Sequence, residues 1–338
     1  MNKCSLIILT SIMLTTVFSC SSKKESMYRK SSPMMDTIAS ITVVCDSKER
    51  AEKAIQEIFA ELDHIGNLIN FYSDISELSA INRNAGISET RVSPETFGII
   101  EEAIYVADKS EGSFDPTIGP IVRLWDFADR KMPSETELRR ALPLVNYRDI
   151  IMNKKTLTVM LRKKGMMLDL GGIAKGYAAD FAVASLAQKG FLSGLVSIAG
   201  DIRTFGLKPD KSPWTIGIKN PRQTSDRDEI MAKIRLTEKA VSTSGDYERF
   251  FIAQGKRYHH LLDPKTGLPA GRCRSVSVVA DKAVYTDAFS TAIFVLGPEK
   301  GMKLARDLGI ETLIIDNNGT VHSTDGLKEK LTFEKSSS

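Results

Sequence analysis

The sequence is short of the residues that build zinc centres. Its 338 residues include only four cysteines and four histidines, and no Cys-x-x-Cys pair occurs. A zinc site is therefore not indicated. Cys45 and Cys273 lie in the body of the chain. An exported compartment would permit a disulfide between them, but two cysteines in so long a chain are more often small apolar core residues.

Other absences exclude further classes of protein. The net charge is only +4, and there is no long basic run or aromatic-basic interleaving, so nucleic acid is not an expected partner. No Gly-x-Ser-x-Gly elbow supports a serine hydrolase. The Gly-x-x-x-x-Gly-Lys-Ser/Thr spacing of a Walker loop is absent as well. With 42% hydrophobic and 26% charged residues, the composition is that of an ordinary globular chain.

The first residues read as a bacterial export signal. Lys3 is followed by an apolar segment of about 10–15 residues, the length of a secretory signal core. The segment is too short and too rich in Ser and Thr for a confident spanning helix, although an uncleaved anchor helix is the alternative. It ends in Val17-Phe18-Ser19-Cys20, which resembles a lipobox. We therefore expect a signal peptide at 1–19, acylation of Cys20 and an extracytoplasmic, periplasmic-side lipoprotein held on the membrane.

The rest of the chain predicts an α+β fold in one large unit. We expect a polar tether at 20–33, a domain at 34–330 and a disordered tail at 331–338. Helical spacing predicts helices at 48–70, 173–188, 283–296 and 298–308. Another helix is expected to begin at Pro94, with Ser93 as its N-cap. Strands are expected at 38–45, 195–198, 214–218, 230–236, 247–253, 257–262, 275–280 and 311–315, and as a pair at 157–161 and 166–168. Clustered strands of this kind favour mixed sheets over regular βαβ alternation.

One glycine-rich segment is the strongest candidate for phosphate chemistry. It runs Leu168-Asp169-Leu170-Gly171-Gly172-Ile173-Ala174-Lys175, from a strand into the first turn of a helix. Two glycines let the backbone approach a ligand closely, and the free N–H groups at a helix start suit a phosphate. The alternative is an ordinary glycine-rich turn followed by an exposed lysine.

A second segment offers hard oxygen ligands. Thr286-Asp287-Ala288-Phe289-Ser290-Thr291 opens an apolar helix, and Asp287 and Thr291 share a helix face. A carboxylate, a hydroxyl and nearby carbonyls suit Mg²⁺, which is commonly held by one carboxylate and substrate phosphates. The alternative is structural, with Thr286 as the N-cap and Asp287 as a charge beside the helix dipole.

Two adjacent histidines precede a polar turn. Strand alternation places His259 and His260 on opposite faces, which argues against a two-histidine metal centre. A single histidine on a strand is more often structural than catalytic. The turn that follows, Asp263-Pro264-Lys265-Thr266-Gly267, sets the end of the strand.

Taken together and in order, these segments resemble the ApbE family of FAD:protein FMN transferases. The resemblance runs from about Met34 to Leu327. The matching segments are MDT at 35–37, GSFDPTIGPIVRLWDF at 112–127, LDLGGIAKGYAAD at 168–180, AGDIR at 199–203, STSGDYERFF at 242–251, YHHLLDPKTG at 258–267 and TDAFSTAIFVLG at 286–297.

The resemblance implies a fold and a reaction. The fold would be α+β, a duplicated T-fold-like unit with mixed sheets and flanking helices. The reaction would use FAD as substrate and Mg²⁺ as cofactor, and would attach FMN through a phosphoester to a Thr or Ser of a target protein, releasing AMP. The expected partner is an acceptor flavoprotein subunit of a membrane redox complex.

The resemblance also implies roles for particular residues. The Mg²⁺ ligands would be the carbonyls of Gly172 and Ser290, the carboxylate of Asp287 and the hydroxyl of Thr291. His260 would assist activation of the acceptor hydroxyl, so catalysis would depend on His260 and Asp287. The flavin contacts would be Met35, Tyr72, Ser113, Phe114, Asp115, Asp169, Lys175 and Leu261.

Two departures from the family pattern bear on affinity. The usual Met-Gly-Thr is Met35-Asp36-Thr37 here, and the usual Gly-Gly-Asp is Ala199-Gly200-Asp201. Two alternatives stay open beside the transferase. The same site would serve a Mg²⁺-dependent FAD pyrophosphatase that gives FMN and AMP. A flavin-binding lipoprotein without enzymatic activity is the other, although such a protein would need no metal site.

Overall fold

A computed structural model describes residues 24–222 and 229–334 of the chain. The helices are α1 (Lys48–Leu68), α2 (Glu77–Arg83), α3 (Pro94–Lys109), α4 (Gly119–Val122), α5 (Glu135–Ala141), α6 (Ala174–Gln188), α7 (Ala283–Leu296), α8 (Pro298–Leu308) and α9 (Asp325–Lys328). The strands are β1 (Ser26–Met34), β2 (Thr37–Cys45), β3 (Thr90–Arg91), β4 (Ile150–Asn153), β5 (Thr158–Leu161), β6 (Gly194–Ile198), β7 (Asp201–Phe205), β8 (Trp214–Lys219), β9 (Ile230–Leu236), β10 (Ala240–Gly245), β11 (Phe250–Ala253), β12 (Lys256–His259), β13 (Cys273–Ala280), β14 (Glu311–Asp316), β15 (Val321–Ser323) and β16 (Leu331–Phe333).

An eight-stranded antiparallel sheet organises the molecule. Its order is β1-β2-β6-β7-β10-β13-β14-β15. Helices cover one face and the small sheet β16-β9-β8 covers the other, so successive residues of the central strands enter different cores. On β13, for example, Val278 packs into the helical core and Val279 packs against the small sheet. This mixed α+β architecture confirms the fold class expected from the sequence.

The long helices form where the apolar spacing predicts them. The side chain of Ser47 caps α1 by accepting a hydrogen bond from the Arg50 N–H group. The apolar stripe of α1, which includes Ile55, Ile58 and Leu62, is fully buried against β2, β6 and α6. Such burial contributes about 1.5–3 kcal/mol for each large side chain, which is why the stripe fixes the helix on the sheet.

Three expectations about chain segments are wrong. Residues 26–33, assigned to the tether, belong to edge strand β1 and pair with β2. Residues 166–168 do not form a strand with 157–161. Instead, β5 pairs with β3 and β4, and only an isolated bridge joins Met167 to Ile118. Residues 331–333, assigned to a disordered tail, form β16 and pair with β9.

The hairpin of β11 and β12 is a separate two-stranded ribbon. It is attached to the body by aromatic packing, since Trp125 lies beside Tyr258 and Phe127 beside Phe251, each pair with ring centroids 6.0 Å apart. The core beneath them includes Ile121 and Leu262. This ribbon carries His259 at its end and His260 directly after it.

Both cysteines of the described chain are buried free thiols. Cys45 ends β2, and Cys273 begins β13. Burial raises the pKa of the Cys273 thiol to about 12, so this thiol stays protonated. The interpretation of the pair as small core residues is therefore confirmed.

Candidate active site

The candidate site forms where the N-terminal turn of α6 meets α7. The two helices approach so closely at Gly176 that a Cβ atom there would lie 2.1 Å from the Ala283 carbonyl oxygen. Only glycine allows this approach. It lets the Gly176 N–H group donate a hydrogen bond of 3.0 Å to the Asp287 carboxylate. Two segments distant in sequence are thereby locked together.

The start of α7 is held by α6. The two carboxylate oxygens of Asp180 accept hydrogen bonds of 2.9 Å from the N–H groups of Ala283 and Val284. These are the first N–H groups of the helix, which need external acceptors. Because α7 begins at Ala283, Thr286 lies inside the first turn. The alternative interpretation of Thr286 as the N-cap is therefore wrong.

A lysine and two aspartates form a buried charged cluster. The Lys175 ammonium lies 3.1 Å from Asp201 Oδ2 and 3.2 Å from Asp287 Oδ1. Asp201 and Asp287 are each only 4% exposed. The cluster therefore places one ammonium and two carboxyl groups together in a poorly hydrated part of the molecule.

The protonation of the cluster follows from burial and charge. Burial alone would lower the pKa of Lys175, but the attraction of Asp201 and Asp287 outweighs it and raises that pKa above its usual value. Burial, followed by the neighbouring charge of Asp287, raises the pKa of Asp201 to about 7. Lys175 thus stays charged at neutral pH.

A row of hydroxyls lines the same side of α7. Ser242 and Thr286 lie 2.7 Å apart through their oxygen atoms. Ser244 Oγ lies 2.8 Å from Ser290 Oγ and 3.3 Å from Thr291 Oγ1. Strand β10 therefore faces the predicted metal-binding turn with neutral oxygen atoms, which are suitable neighbours for a hard cation.

The residues fit Mg²⁺. The carboxylate of Asp287 and the hydroxyl of Thr291 lie one helical turn apart, and a Cβ atom on Gly172 would lie 3.7 Å from Thr291 Oγ1. All of these donors are oxygen, and the Lys175 ammonium already lies as a cation against Asp287. The described residues contain no group of three or more His, Cys, Asp or Glu side chains around one point. A metal here would consequently depend on carbonyls, a hydroxyl and substrate phosphates.

Residues 113–115 form one wall of the candidate site, and one polar side-chain atom of this wall has no hydrogen-bond partner among the residues that the structure describes. Ser113 is 3% exposed, and its hydroxyl has no hydrogen-bond partner in the described chain. Phe114 packs against Gly172. Asp115, by contrast, uses both carboxylate oxygens within the chain, accepting from Thr117 and from the Tyr147 N–H group. Ser113 is thus the member with an unused polar atom for a ligand.

Met35 and Asp36 form the turn between β1 and β2. Both have positive φ, 48° and 57°, as a two-residue hairpin turn of this type requires. The Met35 side chain packs over Gly66 of α1. Tyr72 is 68% exposed, and its pKa is raised, first by burial of its hydroxyl and then by the charge of Asp169, with Asp36 a smaller contributor. The departure at position 36 therefore places a carboxylate in the electrostatic surroundings of Tyr72.

Asp169 and His260 are linked electrostatically through Arg249. Burial raises the pKa of the Asp169 carboxyl, and the charges of Arg249 and Arg123 partly offset this effect. Burial and then the charge of Arg249 lower the pKa of His260 to about 3, so the imidazole is neutral in the physiological range.

The two histidines have opposite hydrogen-bonding patterns. His259 is buried, with Nε2 2.9 Å from the Ala270 carbonyl, and its Nδ1 accepts from the Leu261 N–H group. His260 is half-buried, and its Nδ1 lies 3.3 Å from the Arg249 carbonyl. The partners therefore assign an Nε2–H tautomer to His259 and an Nδ1–H tautomer to His260. Of these two histidines, only His260 keeps a ring nitrogen, Nε2, without a hydrogen-bond partner in the described chain.

The structure brings five of the predicted residues together. Lys175, Asp287, Ser290, Thr291 and Gly172 meet at the α6–α7 contact. Leu261 follows the histidines and is buried, and Cys20 lies outside the described residues. Sequence reasoning missed the cluster role of Asp201, which it recorded only within the AGDIR segment. It also missed the hydroxyls of Ser242 and Ser244, which lie within the STSGDYERFF segment.

The fold and the site define a member of a known family. The family model described as "ApbE family" matches residues 35–314. Within that span lie the glycine-rich start of α6, the Asp287 turn and the two histidines. The chain belongs to the ApbE family, as its motifs predict.

Named relatives agree over nearly the whole chain. An FAD:protein FMN transferase of Treponema pallidum is 35% identical over 295 residues, which are 82% of this chain and 81% of that protein. Another from Vibrio cholerae is 31% identical and covers 96% of this chain and 95% of that protein. The crystal structure of the ApbE protein from Thermotoga maritima aligns with a TM-score of 0.82 at 33% identity, covering 90% of this chain and 99% of that one. The apo flavinyl transferase ApbE of Pseudomonas stutzeri gives a TM-score of 0.80 at 28% identity, covering 90% and 97%.

Proposed function

We propose that this chain transfers FMN from FAD to a Thr or Ser hydroxyl of an acceptor protein, with Mg²⁺ as cofactor and AMP as the second product. The observation that carries the proposal is the buried contact of Lys175 with Asp287 at the start of α6. Lys175 lies in the first turn of that helix, where the Gly176 N–H group already donates to Asp287. A cation at a helix start, next to a carboxylate that can hold a metal ion, suits a pyrophosphate.

The reaction asks little covalent chemistry of the protein. The acceptor oxygen forms a bond to the phosphorus that carries riboflavin, and the bond from that phosphorus to the bridging oxygen breaks. AMP leaves with the bridging oxygen. When bound by Asp287, Thr291 and the neighbouring carbonyls, Mg²⁺ would neutralise charge that develops on the phosphates. Lys175 supplies a fixed positive charge for the same purpose.

His260 is the best-placed base for the acceptor hydroxyl. Its Nδ1–H group is held by the Arg249 carbonyl, which orients the ring and leaves Nε2 as the acceptor. The lowered pKa keeps this nitrogen unprotonated at neutral pH. The hydroxyl proton would pass to Nε2 as the phosphorus–oxygen bond forms, a role that contributes about 10²–10⁴-fold to rate.

The flavin would lie between the Ser113 wall and Tyr72. The unpartnered Ser113 hydroxyl offers a hydrogen bond. The exposed Tyr72 ring, with the Arg123 guanidinium 5.8 Å from its centre, offers an aromatic surface on which a flat ring system stacks.

One assay tests the reaction and separates its alternatives. The full-length chain in mild detergent would be incubated with FAD, Mg²⁺ and candidate flavoprotein subunits of membrane redox complexes. A transferase gives flavin fluorescence on the denatured acceptor band together with an equal amount of AMP. Free FMN and AMP, with no labelled acceptor, would identify a pyrophosphatase. Flavin binding without AMP would indicate a binding protein. An acceptor whose target Thr or Ser is replaced by Ala is the matched control.

We propose further that the protein is a lipoprotein anchored at Cys20 on the periplasmic side. Cys20 and the signal segment lie outside the described residues, and the proposal rests on the lipobox-like sequence alone. Among the described residues, no helix is long and apolar enough to cross a membrane. Fractionation of cells that express wild type or Cys20→Ala tests this idea. Equal membrane partitioning of both, with residues 1–19 retained, would instead indicate a simple anchor.

A further inference from the structure

We propose that Asp201 is a positioning residue, which holds the Lys175 ammonium so that Asp287 stays available to a divalent cation. The inference rests on the proposed Mg²⁺-dependent function and adds a residue to it. Asp201 is not among the expected metal ligands, yet it lies in the same buried cluster. Its position suggests that it acts on the lysine.

The Lys175 ammonium is shared between three acceptors. It lies 3.1 Å from Asp201, 3.2 Å and 3.3 Å from the two Asp287 oxygens, and 3.5 Å from the Gly171 carbonyl. An ammonium has three N–H donors, so this arrangement uses all of them. A divalent cation on Asp287 would repel the ammonium and claim oxygen lone pairs that it now uses. Lys175 then needs a second anionic partner that the metal does not take.

Asp201 is fixed well enough to be that partner. It is the first residue of β7 and pairs with Ile198 across a two-residue turn. The turn residues Ala199 and Gly200 have φ of 52° and 92°. Strand β7 is held in turn by neighbouring strand β10, which pairs with it at Ile202 and Arg203. A carboxylate fixed by this turn and by the sheet holds the lysine beside β7.

Removing Asp201 would leave the lysine with one carboxylate. In the described chain, the remaining carboxylate partner of Lys175 is Asp287. The ammonium would then compete directly with the metal for Asp287. The loss of metal affinity should consequently require the lysine. If Asp201 were instead a direct ligand, or acted only through net charge, the loss would be the same with or without Lys175.

A double-mutant cycle on metal binding tests this dependence. The probe is Mn²⁺ alone, titrated into the full-length chain in detergent, with free Mn²⁺ measured by electron paramagnetic resonance. We expect Asp201→Asn to weaken binding about tenfold and Lys175→Met to strengthen it. In the Lys175→Met background, Asp201→Asn should change affinity less than about threefold. Thermal melts confirm that each variant is folded.

A remote pair of the same type provides the control. Lys239 and Asp281 form an exposed ion pair, and Asp281→Asn should leave Mn²⁺ affinity unchanged in both backgrounds. Equal losses from Asp201→Asn in both backgrounds would overturn the proposal, as would a wild type that binds no Mn²⁺. FMN transfer by the wild type is measured on the same preparation. If transfer fails while the lysine dependence holds, the proposed function is wrong and the role of Asp201 stands.

Discussion

The charged cluster at the α6–α7 contact and the histidine ribbon of β11 and β12 differ in what holds them. Lys175, Asp201 and Asp287 lie between two core helices and the central sheet, where the Gly176 N–H group and two ion pairs fix them. Among the strands that the structure describes, the ribbon pairs with no other. It is attached through aromatic packing and by His259, which forms hydrogen bonds through both ring nitrogens.

The difference suggests a division of labour between the two regions. Charge stabilisation requires groups that do not reorganise, and these groups lie in the rigid core. The acceptor is a protein that must enter and leave, and the proposed base lies on a ribbon at the periphery. Within the ribbon, one histidine secures the structure and its neighbour is free for chemistry. Each prediction below tests a part of this division.

The largest effect is expected from the cluster. Asp287→Ala should lower AMP release by about 10³-fold or more, because it removes the one carboxylate expected on the metal. The fold should survive, since Lys175 keeps Asp201 as a partner and only the Gly176 N–H group loses its acceptor. AMP is measured by chromatography with and without chelator. Exposed Asp307, mutated to Ala, is the control. Full turnover in a metal-free preparation with chelator would contradict the metal assignment.

The next effect should come from the free histidine. His260→Ala should lower FMN transfer by about 10²-fold, the usual size for a lost general base. The dissociation constant for FAD should change much less, because a base acts mainly in the transition state. His259→Ala should alter transfer only modestly. Transfer rates and FAD binding are measured for both variants. Similar transfer losses in the two, or a His260→Ala loss explained by weaker FAD binding, would count against the catalytic role.

For the free energy of unfolding, we expect the reverse order, with a larger loss for His259→Ala than for His260→Ala. His259→Ala leaves the Ala270 carbonyl and the Leu261 N–H group without these partners and removes an edge contact with Phe294. We expect a loss of about 2–3 kcal/mol in the free energy of unfolding. His260→Ala should cost less than about 1 kcal/mol, as at other partly exposed positions. Urea unfolding measures both. A greater loss for His260→Ala would place the structural role on the wrong histidine.

The smallest effect is spectroscopic. Long-range proton–nitrogen NMR should find the Nε2–H tautomer at His259 and the Nδ1–H tautomer at His260. Because the pKa of His260 is lowered to about 3, its ring should remain neutral as the pH falls to 5. A group with a lowered pKa takes up its proton only below that value, so the base form persists throughout. Protonation of His260 near pH 6.5 would show that the ring is solvated and that its surroundings differ from those described.

The elements with regular patterns could be predicted from the sequence. The apolar stripe of α1 and the Ser93-Pro94 start of α3 gave helices close to their observed bounds. Strand β1 could not be predicted, because the segment SMYRKSSPM is polar and pairs at the sheet edge, where only one neighbour is required. Strand β16 is short and follows charged residues. Its pairing with β9 depends on tertiary contacts that no local pattern records.

The sequence predicted which residues belong to the candidate site but not which of them contact one another. Family motifs placed Lys175, Asp287 and His260 in one site, and strand alternation separated the two histidines. Nothing in the sequence indicated that Asp180 would hold the start of α7 or that Asp201 would reach Lys175. The Asp180 contact spans 103 positions and the Lys175–Asp201 contact joins different elements, α6 and β7, so local spacing carries no sign of either.

The start of strand β1 at Ser26 would limit how far a lipid-anchored domain could extend from a membrane. With Cys20 acylated, as proposed, only the chain between Cys20 and Ser26 would separate the lipid from the central sheet. Fully extended, six residue steps reach about 20 Å, less than half the span of a tether that continued to residue 33. The domain would then stay close to the bilayer surface, and an acceptor hydroxyl would have to lie at a similarly short distance from the bilayer. Lengthening this short linker with inserted Gly-Ser repeats should therefore allow FMN transfer to acceptors whose target residue lies farther from the membrane.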